Sequence, residues 1–134
     1  MTLDLPLERM HPLAFKAAEA THCAGDQGKY WEMHDRLFTY QKNLEPWDAH
    51  ASALGLDVDA FQSCLDEGKH AEAVRRDMAT AGAAGATGTP SFVLGLTDPE
   101  DPTKVKGISF IRGAQPFPAF QGQIDEALKT LEGE

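Results

Sequence analysis

The 134-residue chain has little cysteine, no excess of positive charge and no long apolar run. Twelve Lys and Arg stand against twenty-one Asp and Glu, which gives a formal net charge of -9. Nucleic-acid binding requires a basic surface to neutralise phosphates, so this acidic balance predicts no nucleic-acid partner. A membrane-spanning helix requires roughly 18 or more consecutive apolar residues. Since the sequence has no such run, we expect no insertion into a membrane.

The two cysteines, Cys23 and Cys64, lie far apart in the sequence. Their spacing excludes a Cys-x-x-Cys redox pair, a zinc knuckle and a disulfide-dense scaffold. Two interpretations remain open. Either the cysteines form one structural disulfide, which would stabilise the fold by roughly 4 kcal/mol in the chain-entropy model, or they are two buried thiols that pack as small apolar side chains. Redox catalysis by either cysteine is not expected.

The sequence predicts neither a metal site nor a cofactor. Among the five histidines, no pair has the spacing of standard zinc ligands. His34 lies between Trp31 and Leu37 in a helical apolar stripe, so we expect it to be a buried, hydrogen-bonded core residue. Trp31 and Trp47 are predicted to anchor the same core.

Helical periodicity dominates residues 12–82, where we expect five helices joined by short links. Before them, residues 3–7 are typical of a strand remnant that stops at Pro6. The five predicted helices begin at Pro12, at Tyr30, at Pro46, after an N-cap at Asp57, and at Ala71.

After residue 88 the pattern changes to that of a hairpin and a final helix. Ser91–Leu94 and Ile108–Ile111 are short apolar runs with strand composition, separated by a turn-rich segment. An amphipathic helix then presents one apolar face. The overall fold class is therefore α/β. The apolar positions of the last helix are Phe117, Phe120, Ile124, Leu128 and Leu131.

The segment Gly88–Val93, with sequence GTPSFV, resembles the cis-proline loop of thioredoxin-fold proteins, and more narrowly that of DsbA-like thiol–disulfide oxidoreductases. Further stretches resemble the same family in the same order, so the resemblance covers nearly the whole chain. They are Asp4–Leu7 with His11 and Pro12, Gln27–Asp35 with Leu37 and Phe38, Leu54–Asp57 with Phe61, Cys64 and Leu65, and finally Phe110, Gly113, Phe120 and Ile124.

The resemblance implies a single DsbA-like thioredoxin domain over residues 1–134 that is incomplete. Residues 3–7 would be the strand remnant, 12–82 the helical insert, and 88–134 the cis-proline loop, hairpin and terminal helix. The family's first strand and its Cys-x-x-Cys helix have no counterpart in these residues. We therefore assign no catalytic residue and expect a redox-inactive fragment of a longer oxidoreductase, or a truncated relative.

The resemblance also implies a partner and a compartment. At Thr89 and Pro90 the family binds an extended, thiol-containing peptide or protein substrate beside the cis proline. The family is often periplasmic or otherwise exported, although these residues contain no signal peptide. Two alternative functions are a non-catalytic peptide-binding or self-associating module, the latter a homodimer, and a glutathione-dependent isomerase or transferase of the kappa type.

Overall fold

A computed structural model of the chain describes residues 1–132, which contain six helices and two strands. Five helices precede an antiparallel hairpin and a final helix, as the sequence predicts. The last two residues of the predicted domain, 133–134, lie outside the described part. The elements are α1 (Ala14–Gly25), α2 (Tyr30–Thr39), α3 (Trp47–Ala53), α4 (Val58–Asp66), α5 (Ala71–Ala83), β1 (Ser91–Thr97), β2 (Val105–Arg112) and α6 (Phe117–Glu132).

The chain divides into two compact units, Met1–Ala81 and Gly82–Glu134. We call them the helical unit and the hairpin unit. Among residues 1–132, no helix is both long enough and apolar enough to cross a bilayer. The peptide bonds before Pro46 and Pro90 are cis.

The core of the helical unit lies between α1, α2, α3 and α4. Small residues on α1, such as Ala20 and Ala24, are fully buried and allow the other helices to approach closely. Larger side chains fill the remaining space, and burying each contributes roughly 1.5–3 kcal/mol. The largest fully buried side chains of the chain are Phe61, Met33, Leu65, Val74 and Cys23.

The start of α4 follows the local signal in the sequence. The Asp57 carboxylate accepts a hydrogen bond from the Ala60 backbone N–H at 2.9 Å, so the predicted N-cap is confirmed. Gly55, in the link from α3, has a φ of +70°, a conformation that glycine adopts without a steric penalty.

The strand predicted at residues 3–7 is absent, and that prediction is wrong. Within residues 1–132 the sheet consists of β1 and β2 alone. A strand requires a neighbour for its hydrogen-bond ladder, and this segment bonds elsewhere. The Asp4 N–H donates to Asp77 Oδ2 at 3.0 Å, and the Leu7 carbonyl accepts from Met10 and His11.

The face of α2 that enters the core differs from the predicted one. Met33 and Leu37 are buried, whereas Trp31 is 56% exposed and Phe38 is 63% exposed. The half-buried His34 lies 3.1 Å from the exposed Asp35 carboxylate. The predictions of a buried His34 and of a core Trp31 are therefore wrong. Both faces of α2 carry apolar residues at helical spacing, which is why the pattern is ambiguous.

The prediction for the other tryptophan is correct. Trp47 is 9% exposed and belongs to the core of the helical unit. On the outer face of α2, the Trp31 and His34 rings lie 5.2 Å apart and the His34 and Phe38 rings 4.7 Å apart. Three residues of the stripe predicted to be core, Trp31, His34 and Phe38, thus form a column of contacting rings on the outer face, while Leu37 is buried as predicted.

In the hairpin unit, β1 and β2 are longer than predicted and contain a bulge. Ser91 is paired with Arg112 and Leu94 with Ser109, and the register then shifts between Leu94 and Gly95. A Cβ at Gly95 would lie 2.5 Å from a Val105 methyl group and 2.6 Å from a backbone oxygen. Glycine is therefore required at this position of the bulge, because a side chain there would clash with β2.

Helix α6 packs on β2 and covers the hairpin only in part. The Phe92 and Phe120 rings meet edge to face at 4.9 Å, and the Ser109 hydroxyl donates to the Gln123 amide oxygen. Several large apolar side chains of the unit remain exposed. They are Phe92, Val93, Val105, Ile108, Phe117, Ile124, Leu128 and Leu131.

Candidate functional site

The two cysteines form a disulfide that links α1 to α4. Cys23 and Cys64 have their Cα atoms 5.9 Å apart and are joined through their sulfurs. Both residues are buried, with 1% and 9% of their surfaces exposed. Of the two arrangements that the sequence leaves open, the structure has the disulfide.

The surroundings of the disulfide oppose thiolate formation. Cys23 and Cys64 each lie near the C-terminal end of their helices, where the helix dipole is negative and disfavours an anion. A reactive thiolate is instead favoured at a helix N-terminus or beside positive charge. The Asp26 carboxylate, 3.8 Å from the Cys64 sulfur, adds further negative charge.

Asp26 lies at the centre of a charged cluster beside the disulfide. Its Oδ2 atom accepts a hydrogen bond from Lys69 Nζ at 2.7 Å and lies 2.9 Å from His70 Nε2. The Lys69 hydrogen bond lowers the pKa of Asp26, partial burial opposes this shift, and His70 adds to it. The carboxylate is therefore held in its charged form. Lys69 and His70 reach the same oxygen because they are consecutive in the turn after α4.

A second cluster continues from the first through two stacked imidazoles. The His22 and His70 rings are stacked with their centroids 5.4 Å apart. His22 Nε2 lies 2.6 Å from Asp4 Oδ2, and Tyr30 meets the His22 ring edge to face. Burial raises the pKa of Tyr30, and the negative charge of Asp4 raises it further.

Two groups of side chains in the helical unit have the donor atoms to hold a metal ion. Within each group, the ligand atoms all lie within 4.8 Å of one another. One consists of Cys23, Cys64 and His70, and the other of Asp4, His22 and Asp77. Sequence reasoning missed both groups because their members come from segments that lie far apart in the sequence. The adjacency of His22 and Cys23 was the only local signal.

The proline loop of the hairpin unit presents exposed backbone. Thr89 and Pro90 are both exposed immediately before β1. The Pro90 carbonyl accepts from the Gly113 N–H at 2.9 Å, and the Ser91 hydroxyl donates to the Gly88 carbonyl at 2.7 Å. Within the described residues, the Thr89 backbone forms no hydrogen bond. One edge of β1 pairs with β2, and no other strand of residues 1–132 pairs with β1.

A helical insert followed by a proline loop, a hairpin and a terminal helix defines an incomplete thioredoxin-like α/β fold. Residues 1–125 match the model of the DSBA-like thioredoxin domain family. The chain belongs to this family, and the resemblance identified from the sequence is confirmed.

The chain is also similar to proteins named as Na(+)/H(+) antiporters. It is 43% identical over 92 residues to antiporter NhaA 1 of Salinispora arenicola, which is 67% of this chain and 14% of that protein. It is 36% identical over 107 residues to antiporter NhaA 3 of Salinispora tropica, 78% of this chain and 16% of that protein. The chain thus spans a small fraction of these relatives, and their transport activity is not carried over to it. No solved structure matches the chain.

Proposed function

We propose that this chain binds extended, thiol-containing polypeptides as part of a DsbA-like thiol–disulfide oxidoreductase. We propose further that its Cys23–Cys64 disulfide is structural. The observation that carries the first part is the exposed, unbonded backbone of Thr89 at the start of β1. Membership of the DSBA-like family supports the oxidoreductase class.

Strand addition explains how such a polypeptide would be held. An extended peptide gains affinity from main-chain hydrogen bonds to an available strand edge, and specificity from alternate side chains. Thr89 offers a backbone donor and acceptor for this purpose. Beyond it, Phe92 and Val93 are 42% and 50% exposed and provide apolar contact area along β1.

The structural role of the disulfide follows from its position. Thiol–disulfide exchange requires access for an attacking thiolate, and Cys23 is almost fully buried. The negative helix ends and the Asp26 carboxylate disfavour the thiolate that exchange would release. A buried link between α1 and α4 constrains a long loop of the unfolded chain instead.

Peptide binding is tested by titrating the isotopically labelled chain with a hexapeptide that carries a central S-methylcysteine. We expect NMR shift changes at residues 88–94, because the peptide pairs with the Thr89 backbone and β1. The matched control is the same peptide with its central amide N-methylated, which removes the main-chain donor. Equal binding of both peptides, or shift changes confined to α1–α4, would contradict this part of the proposal.

The structural role of the disulfide is tested by insulin reduction with a dithiol as the electron source. We expect the chain to give no turnover above the dithiol alone, and the Cys23→Ala/Cys64→Ala double variant to behave identically. Turnover by the unmodified chain that the double variant loses would show that the pair takes part in exchange.

A second candidate function is self-association. The exposed apolar side chains of the hairpin unit and the β1 edge favour this alternative, because unpaired strand edges template pairing with another chain. Sedimentation equilibrium distinguishes the two functions. A concentration-dependent dimer that Val93→Lys converts to a monomer would support self-association, with Thr80→Lys on α5 as the control. A monomer at all concentrations would exclude it.

A further inference from the structure

We propose that the helical unit binds one zinc ion when its disulfide is reduced, through Cys23, Cys64, His70 and Asp26. This inference goes beyond the proposed peptide binding and does not depend on it. Two thiolates, an imidazole and a carboxylate are all donors that Zn²⁺ accepts in four-coordinate sites. The fold brings Cys23, Cys64 and His70 together from α1, from α4 and from the turn that follows α4. Asp26, directly after α1, lies beside Cys64 and His70.

Apart from the two bonded sulfurs, the donor atoms whose separations are known lie close enough together to share one tetrahedral ion. Zinc bonds of about 2.0–2.3 Å place neighbouring ligand atoms about 3.3–3.8 Å apart in a tetrahedral site. The two sulfurs and the His70 nitrogen lie within 4.8 Å of one another. Asp26 Oδ2 lies 3.8 Å from the Cys64 sulfur and 2.9 Å from His70 Nε2. Once the sulfur–sulfur bond is broken, side-chain rotation suffices to separate the sulfurs.

In the oxidised protein the Cys23 and Cys64 sulfurs are bonded to each other and cannot bind zinc as thiolates. The site therefore forms only after the disulfide is reduced. A dithiol transfers two electrons and two protons to the disulfide. The bond between the Cys23 and Cys64 sulfurs breaks, two thiols form, and the dithiol becomes a cyclic disulfide. The positive charge of Zn²⁺ offsets the surroundings that disfavour a free thiolate, so the ion binds the two sulfurs as thiolates and the two thiol protons are released to solvent.

The neighbours of the site provide an entry path and a second layer of contacts. The His70 and Asp26 side chains are 20% and 35% exposed, so an ion can reach the cluster from that side. Lys69 holds Asp26 at 2.7 Å and would leave this carboxylate as the ion binds. The stacked His22 ring fixes the plane of the His70 imidazole, as outer contacts commonly do for histidine ligands.

The test is metal binding by the full chain in its two redox states. The chain is reduced with a dithiol, freed of it by anaerobic gel filtration, and titrated with zinc chloride and separately with cobalt chloride. We expect the reduced chain to bind one more Zn²⁺ than the oxidised chain. The cobalt complex should show sulfur-to-metal charge transfer and the visible bands of tetrahedral Co²⁺. Thiol counting should give two reactive thiols that zinc protects.

Variants identify the ligands. Loss of an outer contact alone weakens metal binding by roughly 10- to 100-fold, so we expect His70→Ala, which removes a ligand, to weaken it by at least about 100-fold. Asp26→Asn, which keeps an oxygen donor but loses the negative charge, should weaken binding by about 10-fold. The Cys23→Ser/Cys64→Ser variant should not bind. His11→Ala, at an exposed histidine away from these ligands, is the control and should bind normally.

If reduction partly unfolds the chain, far-ultraviolet circular dichroism still tests the proposal. Zinc that restores the helical signal of a partly unfolded reduced chain would support the site, because metal binding and folding are coupled. The proposal is wrong if the reduced chain neither binds zinc nor recovers with it. Equal zinc binding by the oxidised chain, or undiminished binding by His70→Ala, would also overturn it.

Discussion

The two units of this chain differ most in how completely they bury their apolar side chains. The helical unit encloses Phe61, Met33 and Leu65 without leaving any of their surface exposed. In the hairpin unit, the buried apolar residues are Ile111 and Ala127, while eight larger apolar side chains have 42–72% of their surfaces exposed. The difference follows the architecture of each unit, a helical cluster in one and a hairpin with a single helix in the other.

The comparison shows what makes a small unit self-sufficient. Four short helices can surround a common core, and the Cys23–Cys64 disulfide fixes two of them together. A two-stranded sheet has two faces to cover, and a single helix covers only one, so isolated hairpins are marginally stable. We infer that the stability of the chain resides mainly in the helical unit, while the hairpin unit carries the proposed peptide-binding surface.

The largest expected effect comes from removing the disulfide. The Cys23→Ala/Cys64→Ala variant should lose roughly 4 kcal/mol of unfolding free energy, because the bond closes a long loop with a sequence separation of 41. Urea unfolding monitored by far-ultraviolet circular dichroism measures this loss. The change should act on the helical unit and leave the hydrogen exchange of β1 and β2 unaltered. A loss below about 1 kcal/mol would show that the link contributes little.

A smaller effect separates the two faces of α2. Met33→Ala should cost about 3 kcal/mol, since truncation of a fully buried Met leaves a cavity. Phe38→Ala, five positions further along the same helix, should change stability by less than about 0.5 kcal/mol because this ring is 63% exposed. Urea midpoints of the two variants provide the comparison. Equal costs would mean that the outer ring column belongs to a core after all.

In the hairpin unit, the most sensitive position is the glycine at the bulge. Gly95→Ala should destabilise the hairpin by about 2 kcal/mol, because a Cβ there has no room beside Val105. Gly122→Ala in α6 is the matched control: nothing lies within 4 Å of the added carbon, and alanine favours a helix by about 0.5–1 kcal/mol. Hydrogen exchange of the β2 amides distinguishes the two, and a tolerated Gly95→Ala would contradict the bulge geometry.

The smallest expected effect is a change in the stability of the helical unit at alkaline pH. Burial and Asp4 raise the pKa of Tyr30, so the folded state retains the phenol proton that the unfolded chain releases near pH 10. The contribution of Tyr30 to stability is complete below that pH and is lost as pH rises through the higher folded value. Tyr30→Phe should flatten the fall of the urea midpoint above pH 10 relative to the unmodified chain. Identical pH profiles for Tyr30→Phe and the unmodified chain would contradict the shift.

Local signals account for most of what the sequence predicts correctly. Helix periodicity, the Asp57 cap and the two strand-like runs depend on neighbouring residues, and the structure follows them. The family resemblance also depends on ordered local segments such as GTPSFV. From the sequence, Cys23 and Cys64 could form either a disulfide or two buried thiols, because the pairing of distant cysteines depends on how α1 and α4 pack.

The errors have a common physical cause, which is that tertiary contacts decide between equivalent local patterns. Residues 3–7 have strand composition but lack a neighbouring strand among the described residues, so Asp4 bonds to Asp77 instead. Met33 and Trp31 both lie on apolar stripes of α2, and packing buries the first. The Asp26, Lys69 and His70 cluster could not be predicted, because its members meet only after the helices have packed.

Native-state hydrogen exchange on the intact chain tests the central comparison most directly. We predict that amides in α1 and α4 exchange only through global unfolding, with the highest protection free energies in the chain. Amides in β1 and β2 should exchange through a local opening of distinctly lower free energy. Equal protection free energies of the amides in the two units, with the same dependence on urea concentration, would show that the units unfold together. That result would contradict the account.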